Sequence, residues 1–289
     1  MSKSDLAVVT MVFNEGDILP IWLKYYGGQV GLENCYVIDH GSTDLSTHGI
    51  APANIIRIPR SPLDEPARCK FVSEICNALL TWFGCVAYTD VDEILVADPA
   101  TYPDLPSYAR AAKYDVTTAF GMDLLHSEPE EGPLDPQRPI LSQRHWVRPF
   151  SSLCKPTLIR RPIRWGPGFH YADTATHFDD LYLFHLAYVD FDIIRRRQRK
   201  RVATPRAGAG GEHHSIPEDD MVNHIRQDYT RLPRLDLESV DLAQDSPGRL
   251  AFTQRLFERQ EKLGDGLVIS SGISSSTLWR VPKRFQDCF

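Results

Sequence analysis

Residues 6–13 read LAVVTMVF, and Asn14 and Glu15 follow them directly. An unbroken apolar run with paired valines is typical of a strand that is buried on both faces, as in a parallel sheet. Residues 17–26 then carry leucine, tryptophan and tyrosine at helical spacing, and we expect this helix to end at the glycine pair 27–28. The stretch therefore predicts one strand–helix unit.

The same alternation continues to about residue 100. Further strands are predicted at residues 35–39, 55–58 and 85–89, and a longer helix at 66–83 with Trp82 on its apolar side. Strands that alternate with helices form mainly parallel sheets with helices on both faces, so the predicted fold class is α/β. Ligands of such sheets bind beyond the carboxyl ends of the strands.

The pattern becomes looser after residue 100. Short apolar stretches predict strands that complete the sheet, and two helices are expected to close the chain. The strands fall at residues 116–120, 156–159 and 181–188, and the helices at 219–229 and 249–263. A glycine-rich stretch at 206–214, which contains His213 and His214, predicts a loop.

Composition excludes several classes of protein. The 42% hydrophobic content suffices for a globular core, and the net charge of −6 argues against a nucleic-acid binder. No apolar stretch approaches the roughly 20 residues of a membrane span, and the N-terminus lacks the pattern of a signal peptide. We therefore expect a cytoplasmic protein whose six dispersed cysteines are free thiols that pack in the core.

The strongest chemical signal is YTDVDE at residues 88–93, which follows a predicted buried strand. Alternate carboxylates of an extended turn, here Asp90 and Asp92, point the same way. Carboxylate oxygens that converge at the edge of a sheet suit a hard divalent ion, Mg²⁺ or Mn²⁺, which bridges to phosphates. A solvated acidic turn is the alternative interpretation.

The second signal is DHGSTD at residues 39–44, again directly after a predicted strand. Such a turn can hold Asp39 at the ligand-binding edge while Ser42 caps the next helix. A carboxylate in that position can accept a hydrogen bond from a nucleobase N–H. By itself the turn is equally consistent with an ordinary strand-to-helix connection.

Together, VFNE (12–15), DHGSTD (39–44) and DVDE (90–93) resemble the motifs of the family 2 type of glycosyltransferase with the GT-A fold. Those proteins begin with a strand ending in (T/V)-(Y/F)-N-E, continue with D-(D/N)-G-S-T-D and then carry a D-x-D. The resemblance covers residues 6–97 and is closest to the branch with Asp-Val-Asp-Glu-Ile-Leu. His40 departs from the pattern, because an acid or asparagine is commoner there.

The resemblance implies a Rossmann-like GT-A fold and a metal-dependent glycosyltransferase of the hexosyltransferase type. A nucleotide-sugar donor, with a UDP-sugar favoured, would pass its sugar to a hydroxyl of a glycan or glycolipid acceptor, with inversion. Residues 1–100 would form the donor-binding half. Residues 101–289 would complete the sheet and supply the acceptor region and the C-terminal helices.

Roles follow for the residues that match the motifs. Asp39 would accept a hydrogen bond from the uracil imide, Asp90 would face ribose or metal, and Asp92 would bind Mn²⁺ or Mg²⁺ directly. The implied donor-binding residues are Met11, Phe13, Asn14, Glu15, Asp39, Arg68, Lys70 and Asp90, of which Arg68 and Lys70 would approach the diphosphate.

The catalytic base has to come from the second half, where the resemblance fades. Asp173, in a glycine-flanked aromatic turn, is the first candidate, and His170 and Asp123 remain open. His185 is the first candidate for a further metal ligand and His170 the second. An ordinary loop aspartate and a buried core histidine are the alternative interpretations of Asp173 and His185.

The run RRRQRKR at residues 195–201 is either a solvated face or a contact for an anionic acceptor, a lipid diphosphate or a membrane surface. A phosphatase of the HAD type fits less well, because its D-x-D lies near the N-terminus. Two places after the second Asp it has Thr or Val, where this chain has Ile94. Nucleotidyltransferases need a basic glycine-rich loop where this chain has acidic residues. A non-catalytic protein that binds sugar nucleotides or glycans stays open.

Overall fold

The computed structural model describes residues 3–62, 64–128, 130–135, 137–203, 216–235, 241–270 and 272–289. Its strands are β1 (Ser4–Val12), β2 (Cys35–Asp39), β3 (Asn54–Arg57), β4 (Phe83–Tyr88), β5 (Glu93–Ala97), β6 (Val116–Leu125), β7 (Trp146–Pro149), β8 (Pro156–Ile159), β9 (Phe178–Tyr188), β10 (Arg234–Leu235), β11 (Gln260–Lys262), β12 (Val268–Ser270) and β13 (Leu278–Arg280). Its helices are α1 (Leu19–Val30), α2 (Glu65–Leu79), α3 (Leu105–Ala111), α4 (Phe191–Val202), α5 (Glu218–Thr230) and α6 (Pro247–Glu258).

One sheet of eleven strands organises the molecule, and its first part is parallel. Strands β3, β2, β1 and β4 lie side by side and run in the same direction. Strand β8 joins β4 in antiparallel orientation and continues the sheet to β6, β7, β13 and β10. Strand β9 pairs with β6 in parallel and with β5 in antiparallel orientation. The predicted α/β class with a parallel sheet between helices is confirmed.

Strand β1 lies at the centre of the parallel part and is buried on both faces, as its sequence predicts. Leu6, Val8 and Val12 belong to the core that α1 and α3 cover. Ala7 and Val9 belong to the core under α2 on the other face. The two-residue period of a strand produces this division, because successive side chains point to opposite faces.

Several predicted boundaries are wrong in the first hundred residues. Helix α1 runs through both predicted terminal glycines to Val30, and Gly31, with a φ of 82°, ends it. Helix α2 ends at Leu79, so that Trp82 lies beyond it with 68% of its surface exposed. The buried face of α2 is formed by Cys69, Val72 and Cys76, and the predicted residues Phe71, Ile75 and Leu79 pack beside it while partly buried.

The second half confirms the predicted strands and one helix. The strands at 116–120 and 181–188 are longer than predicted, and the helix at 219–229 is α5. The helix expected at 249–263 is wrong at its end, because residues 260–262 leave α6 and pair with β12. All six cysteines are free, and five are buried.

Two further predictions concern the glycine-rich loop and membrane-spanning helices. The glycine-rich stretch 206–214, with its two histidines, lies outside the described residues. In the described ranges, every helix is too short or too polar to cross a bilayer.

The strand order predicts a crevice beside β1. The chain passes from β1 to β2 and β3 on one side and then returns to β4 on the other side. At such a topological switch point the connections leave in opposite directions, and a cleft opens at the carboxyl ends of the two strands. The residues that follow β1 and β4, namely 13–16 and 89–92, border this crevice.

Candidate functional site

Asn14 joins the first two motifs to each other. Its backbone has a φ of 55°, a left-handed conformation that asparagine tolerates better than most residues. Its side-chain Oδ1 accepts hydrogen bonds from the backbone N–H groups of Thr43 (2.7 Å) and Asp44 (3.2 Å), and its own N–H donates to the Ser42 hydroxyl (3.1 Å). The loops after β1 and β2 therefore form one unit at the rim of the crevice.

Asp39 holds the loop after β2 through two hydrogen bonds. Oδ1 accepts from the backbone N–H of Ser42 (2.7 Å) and Oδ2 from the Thr47 hydroxyl (3.0 Å). The residue is 0% exposed. Its predicted contact with a uracil base would require this turn to open, because neither carboxylate oxygen reaches the crevice surface.

The side of the crevice next to β2 carries an aromatic ring and basic groups. The Arg60 guanidinium lies over the Phe13 ring, 3.7 Å from its centroid. His40, unusual for the motif, lies between Arg60 (3.0 Å) and the backbone N–H of Ser61 (3.2 Å). Burial and then Arg60 lower the pKa of His40. His40 thus ties the DHGSTD loop to the segment that leads into α2.

The third motif forms the turn between β4 and β5, and two buried cations hold its outer carboxylates. The Lys155 ammonium lies 3.1 Å from Asp90 Oδ2 and 2.6 Å from Glu93 Oε1. Arg68 Nη2 lies 2.6 Å from Asp90 Oδ1. Burial alone would raise the pKa of Asp90, but Lys155 and Arg68 lower it. For Glu93, burial outweighs Lys155 and raises the pKa.

Helix α4 supplies the partner of Asp92. The Arg197 guanidinium donates from Nη1 to Asp92 Oδ2 (2.6 Å), from Nε to Glu15 Oε2 (3.0 Å) and from Nη2 to Glu15 Oε1 (3.2 Å). Burial alone would raise the pKa of Asp92, but Arg197 and then His185 hold it well below its usual range. The first and third motifs therefore meet through one arginine from the second half of the chain.

Sheet register brings His185 and Asp123 to the same place. His185 on β9 is paired with Glu93 on β5 and with Asp123 on β6. Its Nδ1 lies 2.7 Å from Asp123 Oδ1, and its Nε2 lies 3.5 Å from Asp92 Oδ2. Burial opposes its protonation, but the two carboxylates raise the pKa of His185 to about 10. At neutral pH the ring is therefore an imidazolium.

The residues predicted to bind a metal do not fit a divalent ion in this arrangement. His185 Nδ1 contacts Asp123 and its Nε2 faces Asp92, so both ring nitrogens are engaged by carboxylates. Both oxygens of Asp90 and Oδ2 of Asp92 are engaged by cations. Across the described residues, no three His, Cys, Asp or Glu side chains form a metal-ligand group. Mn²⁺ or Mg²⁺ dependence thus remains a prediction from the motif alone.

The other predicted residues separate into those at the crevice and those away from it. Lys70 points to solvent with its side chain 78% exposed and pairs with Glu74 at 3.9 Å. Asp173 is exposed, and its Oδ1 accepts from the backbone N–H of Arg164 (2.8 Å), so its described contact is a local turn. Met11 is buried under α2. Asp123, the third candidate for the base, is the one that the fold joins to the carboxylate cluster.

His170 lies in the segment between β8 and β9, close enough to Lys155 and Asp90 to feel their charges. The residue is exposed, and its Nδ1 lies 2.6 Å from the carbonyl oxygen of Ser152. Burial in the surrounding protein and the nearby Lys155 ammonium lower the pKa of His170, so its ring is neutral.

Sequence reasoning missed Lys155 and the role of Arg197. Lys155 is a single lysine before an apolar strand, and its burial is unusual for that residue type. For Arg197 a signal was available. It follows the buried Ile193 and Ile194 at helical spacing, which places it on the same face of α4.

Comparison with known proteins gives distant likenesses of structure. No family model and no curated protein matches the sequence. S. aureus TarS, residues 1–349, aligns over 78% of this chain and 71% of its own, with 11% identity and a TM-score of 0.36. The mannosyltransferase PcManGT from Pyrobaculum calidifontis, in complex with GDP-Man and Mn²⁺, aligns over 45% of this chain and 37% of its own (14% identity, TM-score 0.27).

The third likeness is to the mannose-1-phosphate geranyltransferase from Thermus thermophilus. It covers 77% of this chain and 68% of that protein, with 12% identity and a TM-score of 0.29. All three likenesses are remote in sequence and in structure, so we derive the function from the chain's own residues.

Proposed function

We propose that the protein is a glycosyltransferase that moves a sugar from a nucleoside diphosphate donor to a hydroxyl group of a glycan or glycolipid. One observation carries the proposal. The three motifs that resemble those of family 2 glycosyltransferases are joined by hydrogen bonds and ion pairs around the crevice between β1 and β4. A switch-point crevice is the ligand site expected of this type of sheet. A UDP-sugar is favoured by the motif resemblance.

The proposed reaction is a single displacement at the anomeric carbon. The acceptor oxygen forms a bond to that carbon, the bond from the carbon to the phosphate oxygen breaks, and the electron pair leaves with the nucleoside diphosphate. Inversion follows from attack on the face opposite the leaving group. The acceptor proton goes to a carboxylate base.

Asp123 is our proposal for the base. Its Oδ1 accepts a hydrogen bond from the protonated His185, which fixes the orientation of the carboxylate. His185 also faces Asp92 and so couples the base to the donor side of the crevice. His170 is the second candidate, and Asp173 is set aside because its described contact lies in a local turn.

A thermal-shift screen with UDP, GDP, ADP and CDP tests the proposed class. Each nucleotide is tested with Mn²⁺ and with EDTA, and UDP-sugars are then incubated with the protein while UDP release is followed. We expect UDP to raise the melting temperature most and UDP-sugars to be hydrolysed slowly without acceptor. A larger thermal shift with another nucleotide would contradict uracil as the nucleobase of the donor. Absence of binding by all four nucleotides would contradict the glycosyltransferase class.

Two outcomes of the screen would favour the alternatives. Nucleotide binding without release of UDP or sugar transfer would indicate a non-catalytic binding protein. Release of inorganic phosphate from phosphomonoesters would indicate a phosphatase, and Asp123→Asn is the control because a phosphatase reaction at Asp90 does not use that residue.

A further inference from the structure

Helix α4 places a basic face across the acidic crevice. Six of the seven residues 195–201 are basic. Five of these six have a carboxylate oxygen within 3.3 Å, so most of the run is neutralised inside the protein. The pairs are Arg195 with Asp219, Arg196 with Asp17, Arg197 with Asp92, Arg199 with Glu218, and Lys200 with Asp17. The run is therefore a largely exposed face whose charges are mostly paired with carboxylates, not a free polybasic patch.

Arg197 occupies the position that the motif resemblance reserves for a metal ion. Its guanidinium bridges Asp92 and Glu15, and its side chain is only 6% exposed. His185 Nε2 lies 3.5 Å from the same Asp92 oxygen, so that oxygen already faces two nitrogen groups. A divalent ion on Asp92 would lie beside the Arg197 guanidinium, and at such a distance repulsion between like charges is strong.

Arg201 is the basic residue of α4 that keeps capacity for a ligand. It lies one helical turn after Arg197, so both side chains extend from the same face. Its nearest carboxylate among the described residues is Asp92 at 3.6 Å, an oxygen that Arg197 already binds, and its side chain is 34% exposed.

We infer that the Arg201 guanidinium, which lies beside Arg197 on the same face of α4, rather than a divalent ion held by Asp90 and Asp92, binds the diphosphate of the donor. The inference rests on the proposed function, because it assigns the diphosphate subsite of that donor. An arginine suits a diphosphate, since its planar guanidinium can donate two hydrogen bonds to phosphate oxygens. Glu15 and Asp92 then serve to orient Arg197 instead of binding metal.

The first test compares UDP with uridine in EDTA by titration calorimetry. The ratio of their dissociation constants isolates the contribution of the diphosphate. We expect UDP to bind in EDTA with an affinity within about twofold of that in Mn²⁺. Arg201→Gln should weaken UDP binding about tenfold and leave uridine unchanged. Arg199→Gln, which removes a charge from the same helix, should leave both affinities unchanged.

The second test measures Mn²⁺ binding directly by electron paramagnetic resonance. The wild-type protein should leave Mn²⁺ free in the concentration range in which Arg197→Gln binds it, because the variant uncovers Asp92 and Glu15. Adding Asp92→Asn to Arg197→Gln should abolish that binding. If Arg197→Gln does not fold, the calorimetry with Arg201→Gln decides the matter alone.

The outcomes separate this inference from the proposed function. UDP binding that requires Mn²⁺ and is the same in wild type and Arg201→Gln would overturn the arginine subsite and leave the glycosyltransferase intact. Mn²⁺ binding to the wild type as tight as to Arg197→Gln would do the same. Failure of every nucleoside diphosphate to bind, with and without metal, would overturn both.

Discussion

Replacing Lys155 by methionine tests how the acidic motif is held in the folded protein. Lys155 is 2% exposed and its ammonium lies between Asp90 and Glu93. Asp90 keeps Arg68 at 2.6 Å after the substitution. Glu93, whose side chain is 1% exposed, loses the ammonium that pairs directly with it.

The cost follows from leaving a buried carboxylate without its partner. Removing one member of a buried ion pair costs about 3 to 5 kcal/mol. Because Asp90 is still paired, most of this loss falls on Glu93. Lys155→Met should therefore lower the free energy of unfolding by about 3 to 5 kcal/mol, which moves the urea midpoint by about 1 to 2 M if m is about 3 kcal/mol per M.

Urea denaturation followed by tryptophan fluorescence measures the effect. The matched variant is Lys155→Met with Glu93→Gln, which removes the unpaired charge while an amide oxygen still accepts from the Asp90 backbone N–H. This double variant should regain most of the lost stability. A loss below about 1 kcal/mol in Lys155→Met, or a double variant less stable than the single one, would refute the reasoning.

Two further substitutions test the loop and the base. Asn14→Ala should lower the free energy of unfolding by about 2 kcal/mol or more, because two backbone N–H groups lose their acceptor and alanine tolerates a positive φ poorly. Asn14→Gly should recover only the part of this loss that comes from backbone strain. An Asn14→Ala variant that is as stable as wild type in urea denaturation would contradict the prediction. Asp123→Asn should reduce kcat at least about 100-fold with unchanged affinity for UDP, while His170→Gln stays active. The reverse result in steady-state kinetics would transfer the base to His170.

The parallel half of the fold is predictable because its signals are local. The apolar run of β1 needs burial on both faces, and the motifs follow β1, β2 and β4 where turn chemistry is explicit in the sequence. The end of α1 was wrong because tertiary packing carries the helix through its two glycines. The short strand β5 was not predicted, since its pairing with β9 depends on residues almost ninety positions away.

The site was predictable only where its residues belong to the motifs. The sequence identifies the carboxylates, but their charge state depends on cations from distant segments. Lys155 directly precedes β8, and Arg197 comes from a helix whose basic run reads as a surface feature. His185 was predicted as a metal ligand and lies beside Asp92, and its pKa is raised by Asp92 and Asp123 together. Contacts of this kind become visible only in the folded chain.

The crystal structure of the protein with UDP, grown once with Mn²⁺ and once with EDTA, tests the central claim most directly. The account predicts UDP in both crystals, in the crevice between β1 and β4, with its diphosphate against the α4 face that carries Arg197 and Arg201. Nucleotide bound elsewhere on the protein would contradict the assignment of the crevice as the donor site. Failure of UDP to bind in either crystal would contradict the donor itself.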